Sequence, residues 1–344
     1  MRRVRAVVYD AVGATPYLTA WPEPDCPVDG VVVAVGATGV CRSDWHAWRG
    51  HDPVPLPHVG GHELAGTVLR TGPAVRRFAV GDRVTVPFVC GCGTCPICAA
   101  GDPQVCPHQT QPGFTHDGSF AEQVALYAAD ANLVRLPADL SFVAAASLGC
   151  RFATAYRALV GHARVQPEET VAIFGCGGVG LSAIMISRSL GARVIAVDVS
   201  PTALDRARRL GADVIMDPTE IDVPTAIHDL GGAHVSVDAL GSPTLLDTAV
   251  RSLRRRGRHV QVGLLLGDQA APPVPMDLVI SRELLIFGSH GMAAADYPAM
   301  LAMITDGRLD PGRLLGRVIR LDEIPAALAA MDRAGSDGLM VAVP

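Results

Sequence analysis

From about residue 170 onward, short continuous apolar runs alternate with longer apolar stretches. Val171-Ala-Ile-Phe174 reads as a buried strand, Gly175 to Gly180 as a tight turn, and Leu181 to Leu190 as a helix-compatible segment. Arg193-Val-Ile-Ala-Val197 predicts a second strand and Thr202 to Leu210 a second helix. Strand, helix, strand, helix is the signature of a parallel sheet. Further strands are expected at Val235–Asp238, His259–Gly263 and Leu284–Phe287, and a helix over Pro243–Arg256 that stops at Gly257. Residues 1–150 have a different grammar. Val31–Val35, Leu64–Leu69 and Arg83–Val86 are short β-like runs cut by Gly and Pro, which argues for an all-β, barrel-like region. The last stretch, Ser289–Pro344, predicts a helix at Ile324–Met331 and a terminal strand at Leu339–Val343. No internal repeat or low-complexity segment is present.

With 344 residues the chain exceeds one small core, and two domains are expected. Hydrophobic residues make up 49% and charged residues 18%, which fits a compact chain rather than a disordered one. The net charge of −5 gives no general attraction to polyanions. The basic run Arg251–Arg258 reads as the last turn of the helix before it, where arginines complement the helix dipole. No apolar run is long enough for a membrane span. The basic start Met1-Arg2-Arg3 leads into an apolar stretch interrupted by Asp10, which predicts a first strand rather than a signal peptide, so a cytoplasmic location is expected.

Nine cysteines are present, and Cys90, Cys92, Cys95, Cys98 and Cys106 crowd into one segment, which points to a metal site rather than a disulfide framework. Cys92-x2-Cys95-x2-Cys98-x7-Cys106 can close a tetrahedral thiolate shell around zinc and leaves no open position, so that zinc would be structural. An iron–sulfur site is chemically possible with the same donors. A nucleic-acid-binding zinc finger is disfavoured, because residues 88–113 contain no Lys or Arg. Cys90 falls outside the spacing.

Gly175-Cys176-Gly177-Gly178-Val179-Gly180 is a G-x-G-x-x-G turn between a strand and a helix, the context a dinucleotide site requires. Gly175 permits the sharp turn, Gly177 the approach of a pyrophosphate, and Gly180 close helix–strand packing. Asp198 ends the next strand, at about the 20-residue spacing where a carboxylate binds the adenosine ribose and repels a 2′-phosphate, so NAD is predicted over NADP.

Several further segments occur in one order: Gly39-Val-Cys41-Arg42-Ser43-Asp44-Trp45-His46, Gly60-Gly-His62-Glu63-Leu-Ala-Gly66, Val80-Gly-Asp82-Arg-Val84, Gly118-Ser-Phe-Ala-Glu122 and Leu148-Gly-Cys150. With the cysteine segment and the glycine turn, they make the chain resemble the zinc-dependent alcohol dehydrogenases of the medium-chain dehydrogenase/reductase superfamily along nearly its full length. The resemblance implies an α/β two-domain fold. Residues 1–151 and 287–344 would form a chaperonin-10-like β-barrel catalytic domain with a structural zinc lobe at 90–107, and residues 152–286 a Rossmann domain with a doubly wound parallel sheet.

It also implies a second, catalytic zinc on Cys41, His62 and Cys150, with an open fourth position. Asp44 resembles the acid that orients the ligating imidazole, Glu63 the carboxylate close to the metal, and Arg42 the residue that contacts the cofactor pyrophosphate. Ser43 and His46 resemble the proton relay. The implied reaction is reversible hydride transfer between a primary or secondary alcohol and NAD, giving an aldehyde or ketone. By the same likeness Trp45, Trp48, Phe88, Phe114, Leu264 and Leu265 would line a pocket for a hydrophobic alcohol, although the two tryptophans also read as core or interface. The short segment between Cys106 and Gly118 resembles tetrameric bacterial members, so a homotetramer is expected, with a dimer as the alternative. Polyol and formaldehyde dehydrogenases of the same family, and a non-catalytic zinc and dinucleotide sensor, are the competing readings. Neither nucleic acid nor membrane is an expected partner. Cys26, Cys176, His51 and His290 have no assigned role.

Overall fold

The computed structural model describes residues 2–333 and 338–344; Met1, part of the basic start, lies outside them. The described residues form two compact units. Unit 1 holds the chain through Ala153 and again from Gly291, and unit 2 holds Thr154–His290. The breaks fall slightly beyond the 151/152 and 286/287 boundaries expected from the sequence.

Unit 1 begins with β1 (Arg3–Tyr9), β2 (Tyr17–Pro22) and β3 (Val31–Val40). Helix α1 (Arg42–Trp48) follows, then β4 (His58–Val59), β5 (Glu63–Thr71) and β6 (Arg83–Thr85). The segment closes with β7 (Gln123–Leu126) and β8 (Val134–Arg135). Unit 2 contains β9 (Thr170–Phe174), α2 (Gly178–Ser189), β10 (Arg193–Val197), α3 (Pro201–Leu210) and β11 (Val214–Met216). It continues with β12 (Ala233–Asp238), α4 (Pro243–Arg251), β13 (Leu253–Gln261) and β14 (Leu285–Gly288). The chain then returns to unit 1 with β15 (Leu315–Arg320) and β16 (Leu339–Val343).

In unit 1, β3 is the central strand. Its valine-rich sequence is almost wholly buried, and it pairs antiparallel with β5, β7 and β16. β-branched residues suit this pleated, packed position. The pairing has a consequence for the site. The terminal strand β16 grips Thr38–Val40, the residues just before Cys41, while β5 starts just after His62. A small sheet of order β2-β1-β4 lies alongside in sequence and brings His58–Val59 against Val8–Tyr9.

Unit 2 has six parallel strands in the order β11-β10-β9-β12-β13-β14. β9 is buried at every position, which explains its unbroken apolar run; each such large side chain is worth about 1.5–3 kcal/mol of burial. Helix α3 starts and stops where its sequence says it should. The Ser200 hydroxyl accepts from Ala203 N at 3.4 Å, Pro201 occupies the first turn, and Gly211 ends it at φ +112°.

One expectation is corrected. The helix that begins at Pro243 ends at Arg251, not Arg256, and Leu253–Gln261 is a strand. Leu253 and Gly257 are buried there, while Arg254, Arg255 and Arg256 project to solvent. The run of arginines hid the strand because residues 254–257 bulge out of register between the Ala233–Leu253 and Val235–Arg258 pairs, which leaves the three arginines in solvent. Arg251 alone keeps the predicted place in the last helical turn, paired with Asp247 at 2.7 Å.

Candidate active site and metal centres

Cys41 is the residue at which β3 gives way to α1, and Asp44 holds that junction. One carboxylate oxygen of Asp44 accepts from Cys41 N at 2.9 Å, which satisfies an otherwise free amide at the helix start. The other accepts from Gly61 N at 3.1 Å and from His62 Nδ1 at 2.8 Å. A single buried acid therefore fixes the helix start, the turn before His62 and the tautomer of the ring. With Nδ1 committed, Nε2 of His62 is the free lone pair. It is buried and has no hydrogen-bond partner among the described residues.

Cys41, His62 and Cys150 each present a donor atom, and all three atoms lie within 4.8 Å of one another. The hydrogen bond from Cys150 pulls the Cys41 thiol well below its ordinary range, against desolvation, with help from the Arg151 charge and His62. Cys150, as the donor, is pushed well above its ordinary range by that bond and by burial. Two thiol sulfurs close to an orphaned imidazole nitrogen form a donor set that suits a borderline-soft cation such as zinc, whose binding would release the thiol protons.

Cys150 sits in a π-helical turn, Leu148–Phe152. Such wide turns are rare and often occur at functional sites. Here the turn is tied down by Phe88 N, which donates to Gly149 O at 2.9 Å, and by the Tyr297 hydroxyl, which donates to Leu148 O at 3.3 Å. The next residue, Arg151, had no role in the sequence reading. Its backbone N and Nε both donate to Glu63 Oε1 at 3.0 Å, and its Nη2 pairs with Glu63 Oε2. Glu63 is fully buried and spends both carboxylate oxygens on Arg151. Burial raises the Glu63 carboxyl above its usual range, opposed by the Arg151 charge. The only hint in the sequence was an arginine directly after a ligating cysteine.

Two of the six expected pocket residues lie against His62. Phe114 meets its ring edge-on at 5.3 Å between centroids, and Phe88 at 6.0 Å. Trp48 does not belong with them. It is a core residue packed with Val7, Tyr9 and Phe120, and its Nε1 donates to Ala14 O at 2.6 Å. Trp45 is half-buried, stacks edge-on with His46 and His51, and donates to Asp332 at 2.8 Å. Leu264 is exposed and Leu265 half-buried, both in unit 2.

Ser43 Oγ lies 3.9 Å from Cys41 Sγ. His46 Nδ1 faces Nδ1 of His51, unassigned from sequence, at 3.0 Å. Desolvation lowers the His46 pKa, reinforced by His51 and Arg42. Arg42 itself is exposed, covers the Trp45 ring at 4.8 Å and donates to Met331 O at 2.5 Å.

The four-cysteine segment is a separate donor set. The sulfurs of Cys92, Cys95, Cys98 and Cys106 also lie within 4.8 Å of one another. Cys95 caps a short helix, Pro96–Ala99, that carries Cys98. Backbone amides point at the sulfurs: Cys92 N and His108 N donate to Cys106 at 3.5 and 3.3 Å, and Cys98 N donates to Cys95 at 3.4 Å. Asn132 fastens the lobe to the barrel through Gly91 N and O, at 2.9 and 2.8 Å. Cys90 is buried in the neighbouring apolar core, and burial pushes its thiol up to about 12.

In unit 2 the glycine turn has the close contacts its residues imply. A Cβ on Gly180 would fall 1.8 Å from Gly175 O, and Gly175 itself has φ +91°. A Cβ on Gly177 would meet nothing within 4 Å, so that residue borders open space. Asp198 braces the turn, accepting from Cys176 N at 2.6 Å and Ser200 N at 2.8 Å.

These features have counterparts in known proteins. Residues 28–138 match the alcohol dehydrogenase GroES-like domain family, and residues 178–306 match the zinc-binding dehydrogenase family. An alcohol dehydrogenase of Geobacillus stearothermophilus is 34% identical over 291 residues, 83% of this chain and 85% of the relative. A sorbitol dehydrogenase of Halalkalibacterium halodurans is 30% identical over 318 residues, 90% of each. The crystal structure of benzyl alcohol dehydrogenase from Acinetobacter calcoaceticus superposes with a TM-score of 0.91 at 27% identity, covering 100% of this chain and 99% of that one. The two units have the two-domain architecture of these enzymes, and the chain belongs to the zinc-dependent alcohol dehydrogenase family of the medium-chain dehydrogenase/reductase superfamily.

Proposed function

We propose that the chain catalyses reversible hydride transfer between a hydrophobic alcohol and NAD, using one catalytic and one structural zinc per subunit. The observation that carries this reading is the buried trio Cys41, His62 and Cys150, with His62 Nε2 aimed at no protein partner among the described residues. Zinc on this trio would supply Lewis-acid polarisation of the alcohol oxygen, and NAD would accept the hydride.

The chain's own residues have defined tasks in this scheme. Asp44 holds the His62 ring so that Nε2 faces the two sulfurs. Ser43 Oγ, beside Cys41, takes the proton of the substrate hydroxyl, and His46 is the outer station toward solvent. Burial and the neighbouring His51 and Arg42 lower the His46 pKa, which keeps the ring neutral and so able to accept that proton. Phe88 and Phe114 supply apolar wall next to His62 and favour an apolar carbon there. Arg151 engages both oxygens of Glu63 and keeps that carboxylate out of the donor set. The open space at Gly177 admits a pyrophosphate, and Asp198 discriminates against a 2′-phosphate. Cys92, Cys95, Cys98 and Cys106 would hold the structural zinc.

Among the described residues no helix is long and apolar enough to cross a membrane. A cytoplasmic homotetramer is the assembly this reading expects, and light scattering on the purified protein tests its size. The similarity to a sorbitol dehydrogenase keeps a polyol substrate as the second reading. NADH formation on straight-chain, branched, benzylic and polyol alcohols separates the two. Benzylic or branched alcohols rank first under the proposal, and a polyol first would replace it. NADH binding without turnover on any alcohol would favour a sensor.

A further inference from the structure

Unit 2 contains a buried polar chain that the proposed reaction does not use. Asp238, Ser236 and His259 are fully buried at the carboxyl ends of β12 and β13, with Gln261 half-buried beside them. Ser236 Oγ lies 2.9 Å from His259 Nδ1, and His259 Nε2 lies 3.2 Å from Gln261 Oε1. Gln261 Nε2 donates to Asp238 Oδ2 at 2.9 Å and to Gly263 O at 2.8 Å. Burial lowers the His259 pKa, so the ring is neutral. The direction of the chain then follows. The amide NH2 must face the two acceptors, so Oε1 accepts from His259 Nε2–H, and Nδ1 accepts from the Ser236 hydroxyl.

The far end of this chain shapes two loops. Asp238 Oδ1 accepts from Leu240 N and Gly241 N, both at 2.8 Å, and Asp238 O accepts from Val262 N and Gly263 N at 3.0 and 2.8 Å. The loops touch backbone to backbone, since a Cβ on Gly263 would lie 2.2 Å from Gly241 N. They also reach the glycine turn. Ala239 N donates to Phe174 O at 2.9 Å, and a Cβ on Gly175 would lie 3.3 Å from Leu240 Cβ. Above this rigid base, Leu240 and Leu264 stand exposed, at 65% and 52%.

The sheet order explains why these loops matter. The chain starts at β9, runs outward to β11, then crosses to β12 on the other side of β9. In an open α/β sheet, ligands bind at the carboxyl ends of the strands beside this reversal. The glycine turn and Asp198 serve the adenosine and pyrophosphate half of a dinucleotide, which leaves the β12 and β13 loops for the other half.

We propose that Asp238, held by Gln261, His259 and Ser236, is a positioning residue that sets the β12 and β13 loops for the nicotinamide half of the cofactor. This rests on the dinucleotide reading of unit 2. Asp238→Asn keeps the shape but turns an acceptor at Gln261 Nε2 into a donor, which forces either a lost bond or a flipped amide. Calorimetric titration of the full-length protein with NADH and with ADP-ribose tests the claim, with circular dichroism reporting folding. NADH should bind about tenfold more weakly to the variant, the cost of one buried mismatch. ADP-ribose, which lacks the nicotinamide, should bind as it does to the wild type. Unchanged NADH affinity, or equal weakening of both ligands, overturns the proposal. If Asp238→Asn does not fold, Gln261→Glu, at a half-exposed position, must show the same split, and misfolding of both makes the chain a stability element only. Failure of wild-type protein to bind either ligand would instead sink the dinucleotide reading itself.

Discussion

The chain has two sulfur-rich donor sets, and they differ in how they are built. The lobe draws Cys92, Cys95, Cys98 and Cys106 from one short loop, and its four sulfurs are a complete tetrahedral set braced by backbone amides. The centre draws Cys41, His62 and Cys150 from the end of a strand, the start of another and a π-helical turn. It offers three donors, not four, with Glu63 next door but engaged by Arg151. A complete local set suits a structural metal, and an incomplete set assembled by the fold suits a metal that must leave room for substrate.

This contrast can be broken most forcefully at the lobe. Cys98→Ser should release one zinc and destabilise the protein by several kcal/mol, because a structural site couples metal binding to folding. A thermal melt with parallel zinc analysis reads both effects, and a variant that melts like wild type would leave the lobe without a structural metal role. Next in size is Arg151→Ala. It leaves the Glu63 carboxylate buried without its partner, at a cost of about 3–5 kcal/mol. Urea denaturation measures this, and a loss below about 1 kcal/mol, the scale of an exposed pair, would show that the two groups are not coupled as their geometry implies.

Asp44→Ala should act on the centre and spare the lobe. Freeing the His62 ring lowers metal affinity there by about 10–100-fold. Competition with a chromophoric chelator should show one zinc lost early and one retained, whereas simultaneous loss of both would mean the sets are not independent. The smallest effect concerns the other local motif. Asp198→Gly removes the acid that braces the turn, and should weaken NAD by about tenfold while narrowing its advantage over NADP. An unchanged cofactor ratio would deny Asp198 its role in selection.

The same contrast governs what was legible in the sequence. The lobe could be read from spacing, and the glycine turn from spacing and its flanking elements, because each is held by contacts among near neighbours. The terminal strand Leu339–Val343 was equally plain from its apolar run, though its pairing with β15 and β3 was not. The centre was reachable only through the family resemblance, since nothing in residues 41, 62 and 150 alone says that β3, β5 and the turn after Ser147 converge. Arg151 escaped notice because its meaning depends on Glu63, which only the fold brings to it. Trp48 read equally as pocket wall or as core, and it packs in the core against Tyr9, in a cluster that Trp45 also borders. The arginines of β13 misled in the opposite direction, since a polar run that bulges out of a strand resembles the end of a helix.

The central claim is that Cys41, His62 and Cys150 hold the metal on which turnover depends. Zinc per subunit, measured by atomic emission on wild-type protein and Cys41→Ala alongside alcohol-dependent NADH formation, tests it most directly. The account predicts two zincs in the wild type, one in the variant, near-normal melting and no turnover. A Cys41→Ala protein that keeps both zincs, or that still oxidises an alcohol at a substantial rate, would contradict it.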